Sequence, residues 1–220
     1  MIKEENQSKN WNKFWQNPEI TKSWAKKRII TILRSQVRKG EQALDAGCGS
    51  GFFSDFLAKN GLEVTALDSS ETALKLCQKF CDDKKNIKYI KEDILSNYFS
   101  NNLKQNFDIV FSDGLLEHFN FNSQIKILKN FAKVLKPGGK IVTFVPNKFS
   151  PWQLIRPFIL KGIYEEPMIL KKLLFLNKTS GLKVIESGGI NVLPVSFSPE
   201  NLLGSYLGMI LYTISSPEYI

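Results

Sequence analysis

The chain has 220 residues, 43% hydrophobic and 23% charged, which fits one soluble globular domain with a sizeable core. Its opening, Met1 to Trp15, lacks the apolar run of an export signal, and no window reaches the roughly 18 apolar residues that span a bilayer, so a cytoplasmic protein is expected. Charge is uneven within the total of +9: residues 1–40 hold ten Lys and Arg against three Glu, whereas residues 41–140 hold thirteen of each sign. Such a basic start suits an acidic substrate, an anionic membrane surface or nucleic acid, and equally a merely solvated helix face.

In chain order, residues 1–39 read as amphipathic helix. Trp11, Phe14 and Trp15 follow i, i+3, i+4 spacing, and a second helix from about Ile20 to Arg38 carries Trp24, Ile29, Ile32 and Leu33. From Gln42 the pattern becomes strands alternating with helices. "QALDAG" is a buried strand, and a helix runs from Gly51 to about Lys59. "EVTALD" is the next strand, followed by a helix that Ser69 or Ser70 can cap. "NIKYIKED", "FDIVFSD" and "KIVTFVPN" are three more strands, the last after a helix from about Ser123 to Leu135 and a Pro137-Gly138-Gly139 turn. Alternation of this kind argues for a parallel sheet covered by helices on both faces. After Pro146 it lapses into an aromatic, proline-punctuated segment, then a helix from about Met168 to Leu176, a strand, a Ser187-Gly188-Gly189 turn and an extended stretch. The end, "SSPEYI", shows no further strand, and a C-terminal part of the fold is expected to be missing.

Cys48, Cys77 and Cys81 suit a reducing compartment, with Cys77 and Cys81 four apart on one helix face. A single histidine leaves too few ligands for zinc, so they are read as core cysteines and no metal site is expected.

The turn "LDAGCGSGFF" raises the question of what it holds. A dinucleotide fingerprint needs G-x-G-x-x-G, but the third glycine comes one position early and Phe52 fills the last slot. A phosphate-binding loop needs a Gly-Lys-Ser/Thr that does not follow. What remains is a backbone platform, with Asp45 inside the first strand and Asp68 ending the second. A carboxylate at the latter place can accept hydrogen bonds from both hydroxyls of a ribose.

Four stretches, "LDAGCGSG", "VTALDSSETAL", "FDIVFSDGLLEHF" and "LKPGGKIVTFVPN", resemble the motifs of class I S-adenosylmethionine-dependent methyltransferases of the small-molecule, ubiquinone-biosynthesis-like type. They cover roughly residues 40–147. The resemblance implies an α/β, Rossmann-like doubly wound fold with a mostly parallel seven-stranded sheet. It also implies S-adenosyl-L-methionine as cofactor, held by Asp45, Gly47, Gly49 and Gly51 on its methionine and ribose side. Asp68 is then expected on the ribose hydroxyls, Ser69 beside the adenine, Asp93 and Ile94 on the adenine, and Ser112 and Asp113 at the methionine amine. Arg28 is a looser candidate for the methionine carboxylate. Capping of neighbouring backbone amides by Asp45, helix capping by Asp68, a surface role for Asp93 and a solvated Arg28 are the plainer readings.

The resemblance makes residues 40–147 the cofactor-binding core; outside it, residues 1–39 are expected to form a helical lid, from their aromatic spacing and charge, and 148–220 an acceptor-side insertion with the end of the sheet. The expected reaction is direct methyl displacement onto a small-molecule or lipid-like acceptor, acidic or apolar, with peripheral membrane contact as a further option. His118 is the candidate base, although the Glu117-His118 pair suits a loop-fixing role as well. Nucleic acid is disfavoured, because "SDGL" stands where amino-methylating nucleic-acid enzymes carry an Asn/Asp-Pro-Pro-aromatic motif. A protein methyltransferase and a non-catalytic cofactor-binding protein compete with the small-molecule enzyme as readings of the same motifs.

Overall fold

The computed structural model describes residues 26–104, 106–151, 153, 165–190 and 208–218. The expected helix around Trp11, Phe14 and Trp15, and most of the proline-punctuated segment, lie outside the described residues.

Helix α1 (Lys26–Gln36) leads into strand β1 (Gln42–Ala46), helix α2 (Phe52–Lys59) and strand β2 (Glu63–Asp68). Helix α3 (Glu71–Phe80), strand β3 (Ile87–Lys91), the short helix α4 (Phe99–Leu103) and strand β4 (Phe107–Asp113) follow. A 3-10 turn at Leu116–His118 then joins β4 to helix α5 (Phe121–Val134), which runs into strand β5 (Leu135–Pro146). Helix α6 (Leu170–Thr179) and strands β6 (Leu182–Ile190) and β7 (Ile210–Pro217) complete the described elements.

The seven strands form one sheet in the order β3-β2-β1-β4-β5-β7-β6. Strands β1 to β5 pair in parallel, whereas β7 runs antiparallel between β5 and β6. Apolar runs with little alternation give the central strands their burial on both faces: Ala43, Leu44, Ala46, Ile109, Val110 and Phe111 are all at or near zero exposure. One face carries α1 and α2 over Phe111, Val142 and Phe144. The other carries α5 and α6 over Leu44, Val110 and Val145.

Local capping matches the sequence where a side chain does the work. Ser70, not Ser69, caps α3 by accepting from the Ala73 amide at 3.2 Å, and Asn120 caps α5 by accepting from the Ser123 amide at 3.0 Å. Two expectations are corrected. Ser187-Gly188-Gly189 is not a turn: β6 runs straight through it, paired with β7 from Leu182 to Ile190. A Cβ on Gly188 would lie 2.9 Å from Cε1 of Tyr212, its partner across the strands, so this glycine makes room for a ring. The strand expected to be missing is present as β7, with its polar Thr213 and Ser215 buried in mid-sheet.

Candidate functional site

The carboxyl ends of β2, β1 and β4 lie side by side, and three aspartates end up on one face there. Register pairs Asp45 with Ala66 and with Phe111, so Asp68 and Asp113, each two residues further along, share its face.

Asp68 closes the glycine turn. One carboxylate oxygen accepts from the Gly49 amide at 3.1 Å and the other from the Ser70 amide at 2.8 Å. Burial raises its pKa, opposed by the amides of Ser70, Gly49 and Ser69. The turn is tied down separately, because the Gly47 and Cys48 amides both donate to the Leu67 carbonyl, at 2.8 and 3.0 Å.

The glycines play different parts. Gly47 has φ +75°, and a Cβ there would lie 3.0 Å from Cδ1 of Leu115, which reaches across from the end of β4. Gly51 has φ +87° and faces inward: a Cβ would lie 2.6 Å from Sγ and 2.9 Å from the Cα of Cys77 in α3. The third glycine is therefore fixed by helix packing rather than by a ligand. Cys48, Cys77 and Cys81 pack together with Ala66 and Leu74 behind the turn, as core.

Asp45 is 2% exposed and accepts from the Ser54 hydroxyl at 2.6 Å. Burial raises its pKa to about 7, with the Ser54 hydroxyl opposing and the neighbouring Asp113 and Asp68 adding to the rise. It braces the start of α2 from beneath. Asp113 is partly exposed at the end of β4, yet protein hems in its carboxyl and raises its pKa to about 6, against the pull of Lys26.

Lys26 is the site residue that sequence reasoning missed. Its ammonium lies 4.2 Å from the centre of the Phe52 ring at the glycine turn, within the fields of Asp113 and Asp45. Burial lowers its pKa, and those two carboxyls work against the fall. Arg28 sits two residues on, about 200° further round the helix. The only signal for Lys26 was a run of three basic residues, any one of which could turn inward.

The remaining candidates spread out. Asp93 is exposed and accepts from the Leu95 amide at 2.8 Å, while Ile94 is buried and its carbonyl accepts from Asn130. Ser112 is fully buried on the opposite face of β4, where its hydroxyl donates to Thr143 at 3.3 Å. His118 is 6% exposed in the 3-10 turn, its Nε2 4.0 Å from a carboxylate oxygen of Glu117. The Glu117 carbonyl in turn accepts from the Glu166 amide at 2.8 Å, which ties this turn to the segment before α6.

A methyltransferase-domain family model matches residues 44–143, the span from within β1 into β5. The chain carries a class I S-adenosylmethionine-dependent methyltransferase domain. It is distantly related to the ubiquinone biosynthesis O-methyltransferase of Coxiella burnetii, with 29% identity over 76% of this chain and 74% of that one. Among solved structures, the N-methyltransferase NodS from Bradyrhizobium japonicum, bound to S-adenosylhomocysteine, superposes with a TM-score of 0.70 at 17% identity, over 97% of this chain and 100% of its own. The magnesium protoporphyrin IX methyltransferase of Synechocystis, also with S-adenosylhomocysteine, gives 0.64 at 14% identity, over 87% and 81%. These structures share the fold, and S-adenosylmethionine is the methyltransferase cofactor. Among the described residues, no helix is long and apolar enough to cross a membrane.

The site suits that cofactor on its own chemistry. A carboxylate at the end of β2, each oxygen holding one backbone amide, retains lone pairs for a vicinal diol. Beside it, one partly buried ammonium and two carboxyls of raised pKa complement a zwitterionic amino acid that carries an extra positive charge.

Proposed function

We propose that this methyltransferase acts on a small, apolar, lipid-like acceptor through a hydroxyl group. The observation that carries the reading is the end of β4. There Leu115 lies over Gly47, giving the acceptor side of the turn an apolar wall, and the chain passes at once into the buried Glu117-His118 pair. The distant similarity to a ubiquinone biosynthesis O-methyltransferase supports the same class of acceptor.

The bound cofactor supplies an activated methyl group; alignment and water exclusion are the protein's share. Asp68 is assigned the ribose hydroxyls, with the Gly47–Gly49 backbone beneath them and Ser69 beside the adenine. Lys26 is assigned the methionine carboxylate and Asp113 the amine. Asp45 acts at one remove, holding Ser54 and the turn in place. His118 takes the proton that the acceptor hydroxyl loses, and the Glu117 carboxylate stabilises the imidazolium so formed. The tryptophan-rich segment before Lys26 is proposed as the cover over the acceptor.

Incubation with methyl-labelled S-adenosylmethionine tests the assignment. Phenols and catechols with apolar tails, soluble amines, RNA, DNA and cell protein are offered separately. Label is expected in the apolar phenols, and His118→Asn should lower kcat and remove the acidic limb of the pH profile. Label confined to nucleic acid or protein contradicts the acceptor class, and an unchanged profile in His118→Asn returns His118 to a packing role.

A further inference from the structure

Helices α5 and α6 lie side by side on the face of the sheet away from α1 and α2, and their outer surfaces have an unusual composition. Between them, "FNSQIKILKNFAKV" and "LKKLLFLNKT" contain six lysines and no acid. Their inner stripes, Ile127, Leu128, Phe131 and Val134 on α5 and Leu173 and Leu176 on α6, are fully buried in the core. The outer stripe of α5 is Lys126, Lys129 and Lys133, at i, i+3, i+7, and that of α6 is Lys171, Phe175 and Lys178, at i, i+4, i+7; all six are exposed. Lys172, the sixth lysine, is paired with Glu166 at 2.8 Å.

On the opposite side of the molecule lysines meet acids. Lys59 pairs with Asp55 on α2, Lys75 with Glu71 on α3, and Lys84 with Asp83 just beyond it. On the α5/α6 face Lys126 donates to the neutral Asn97 amide oxygen at 2.8 Å, so its charge is not cancelled. Two phenyl rings stand out of the same surface. Phe121 and Phe175 stack at 6.0 Å and 18°, bridging the two helices, and are still 38% and 56% exposed. Exposed stacked aromatics amid lysines that pair with no acid among the described residues match a surface whose outer layer is anionic and whose interior is apolar.

We infer that the α5/α6 face docks the protein on an anionic lipid bilayer, with Phe121 and Phe175 entering the interface and the five lysines meeting lipid headgroups. Phe121 begins α5 three residues after His118, so the docked face would border the mouth of the site. The surface stands on its own observations and does not depend on the identity of the acceptor.

Vesicle flotation with the full chain tests it. Vesicles of phosphatidylcholine alone are compared with vesicles about one-third phosphatidylglycerol, at about 0.1 M salt where surface charges act over about 10 Å. Binding is expected to the anionic vesicles and to fall steeply with salt. Replacing Lys126, Lys129, Lys133, Lys171 and Lys178 by Gln should weaken it on the order of 1,000-fold, at about fivefold per lysine. Phe121→Ser with Phe175→Ser should weaken it on the order of tenfold even with every lysine present. Unchanged S-adenosylhomocysteine binding in the lysine variant shows that the fold is intact. Because the segment before Lys26 also carries four lysines, a variant with Lys3, Lys9, Lys13 and Lys22 changed to Gln is run in parallel. Vesicle binding that survives the helix-face substitutions overturns the inference, whichever segment is then responsible. So does the absence of vesicle binding, or binding of duplex RNA or DNA through these lysines while vesicles are ignored.

Discussion

Lys26 shows how a site is completed by a residue that no motif marks. An ammonium over the Phe52 ring and within the field of two carboxyls is held there by geometry that begins with the rotation of α1. Lys26→Met should weaken S-adenosylhomocysteine binding about tenfold or more, the loss of one charge-assisted contact. Arg28→Met should change it less than about threefold, below the loss of a single hydrogen bond, and calorimetry on the two variants separates them. The carboxyls add a pH dependence. Asp45 and Asp113 have folded pKa values raised to about 7 and about 6, so the folded state keeps protons that the unfolded chain has released from near pH 4 upward. Their contribution to stability is greatest at low pH, falls as pH rises toward 7, and is level above that. The slope is at most about 1.4 kcal/mol per pH unit for each group. Asp45→Asn should therefore gain melting temperature relative to wild type between about pH 4 and 7, and a constant difference would contradict the burial account. A positively charged ligand favours the ionised carboxyls, so the cofactor should bind more tightly at about pH 8 than at about pH 5.5.

At the level of elements, the glycine turn joins two functions that the sequence pattern runs together. Gly47 is held open under Leu115, whereas Gly51 gives way to Cys77 of α3. Gly51→Ala forces a side chain at φ +87° against a helix backbone atom 2.9 Å away, and should cost roughly 2–4 kcal/mol. Chemical denaturation checks this, and a loss below about 0.5 kcal/mol would mean that α3 can move aside without strain. The strand-helix alternation up to Pro146 was legible because each buried parallel strand reads as a continuous apolar run. The end of the chain was harder. Strand β6 carries two glycines where a turn is the ordinary meaning, and β7 ends in serines although it lies inside the sheet. Both depend on pairing with each other, which no local window contains. The place of Asp68 was legible, because the apolar run of β2 ends on it beside the glycine turn. Lys26 was not, since its neighbours Lys27 and Arg28 carry the same charge and only the packing of α1 on the sheet chooses among them.

For the whole molecule, sequence asymmetry becomes sidedness. The three carboxyls and Lys26 gather at one end of the sheet, and the exposed lysines of α5 and α6 line one flank. The segment before Lys26 holds aromatic rings at helical spacing, with four lysines against three glutamates. Removing residues 1–18 should leave a cooperative unfolding transition while abolishing turnover. Full activity in the truncated chain would show that this segment is not a cover.

The central claim, that the glycine turn and Asp68 hold an adenosyl sulfur cofactor rather than a nicotinamide one, is tested most directly by titration calorimetry. The full chain is titrated with S-adenosylhomocysteine and with NADH, beside Asp68→Ala. Removing charge-assisted hydrogen bonds worth about 1.5–3 kcal/mol should weaken S-adenosylhomocysteine by about 10- to 100-fold. The expected result is one S-adenosylhomocysteine per chain, that weakening in Asp68→Ala, and no heat from NADH. Binding of NADH with no response to S-adenosylhomocysteine would contradict it.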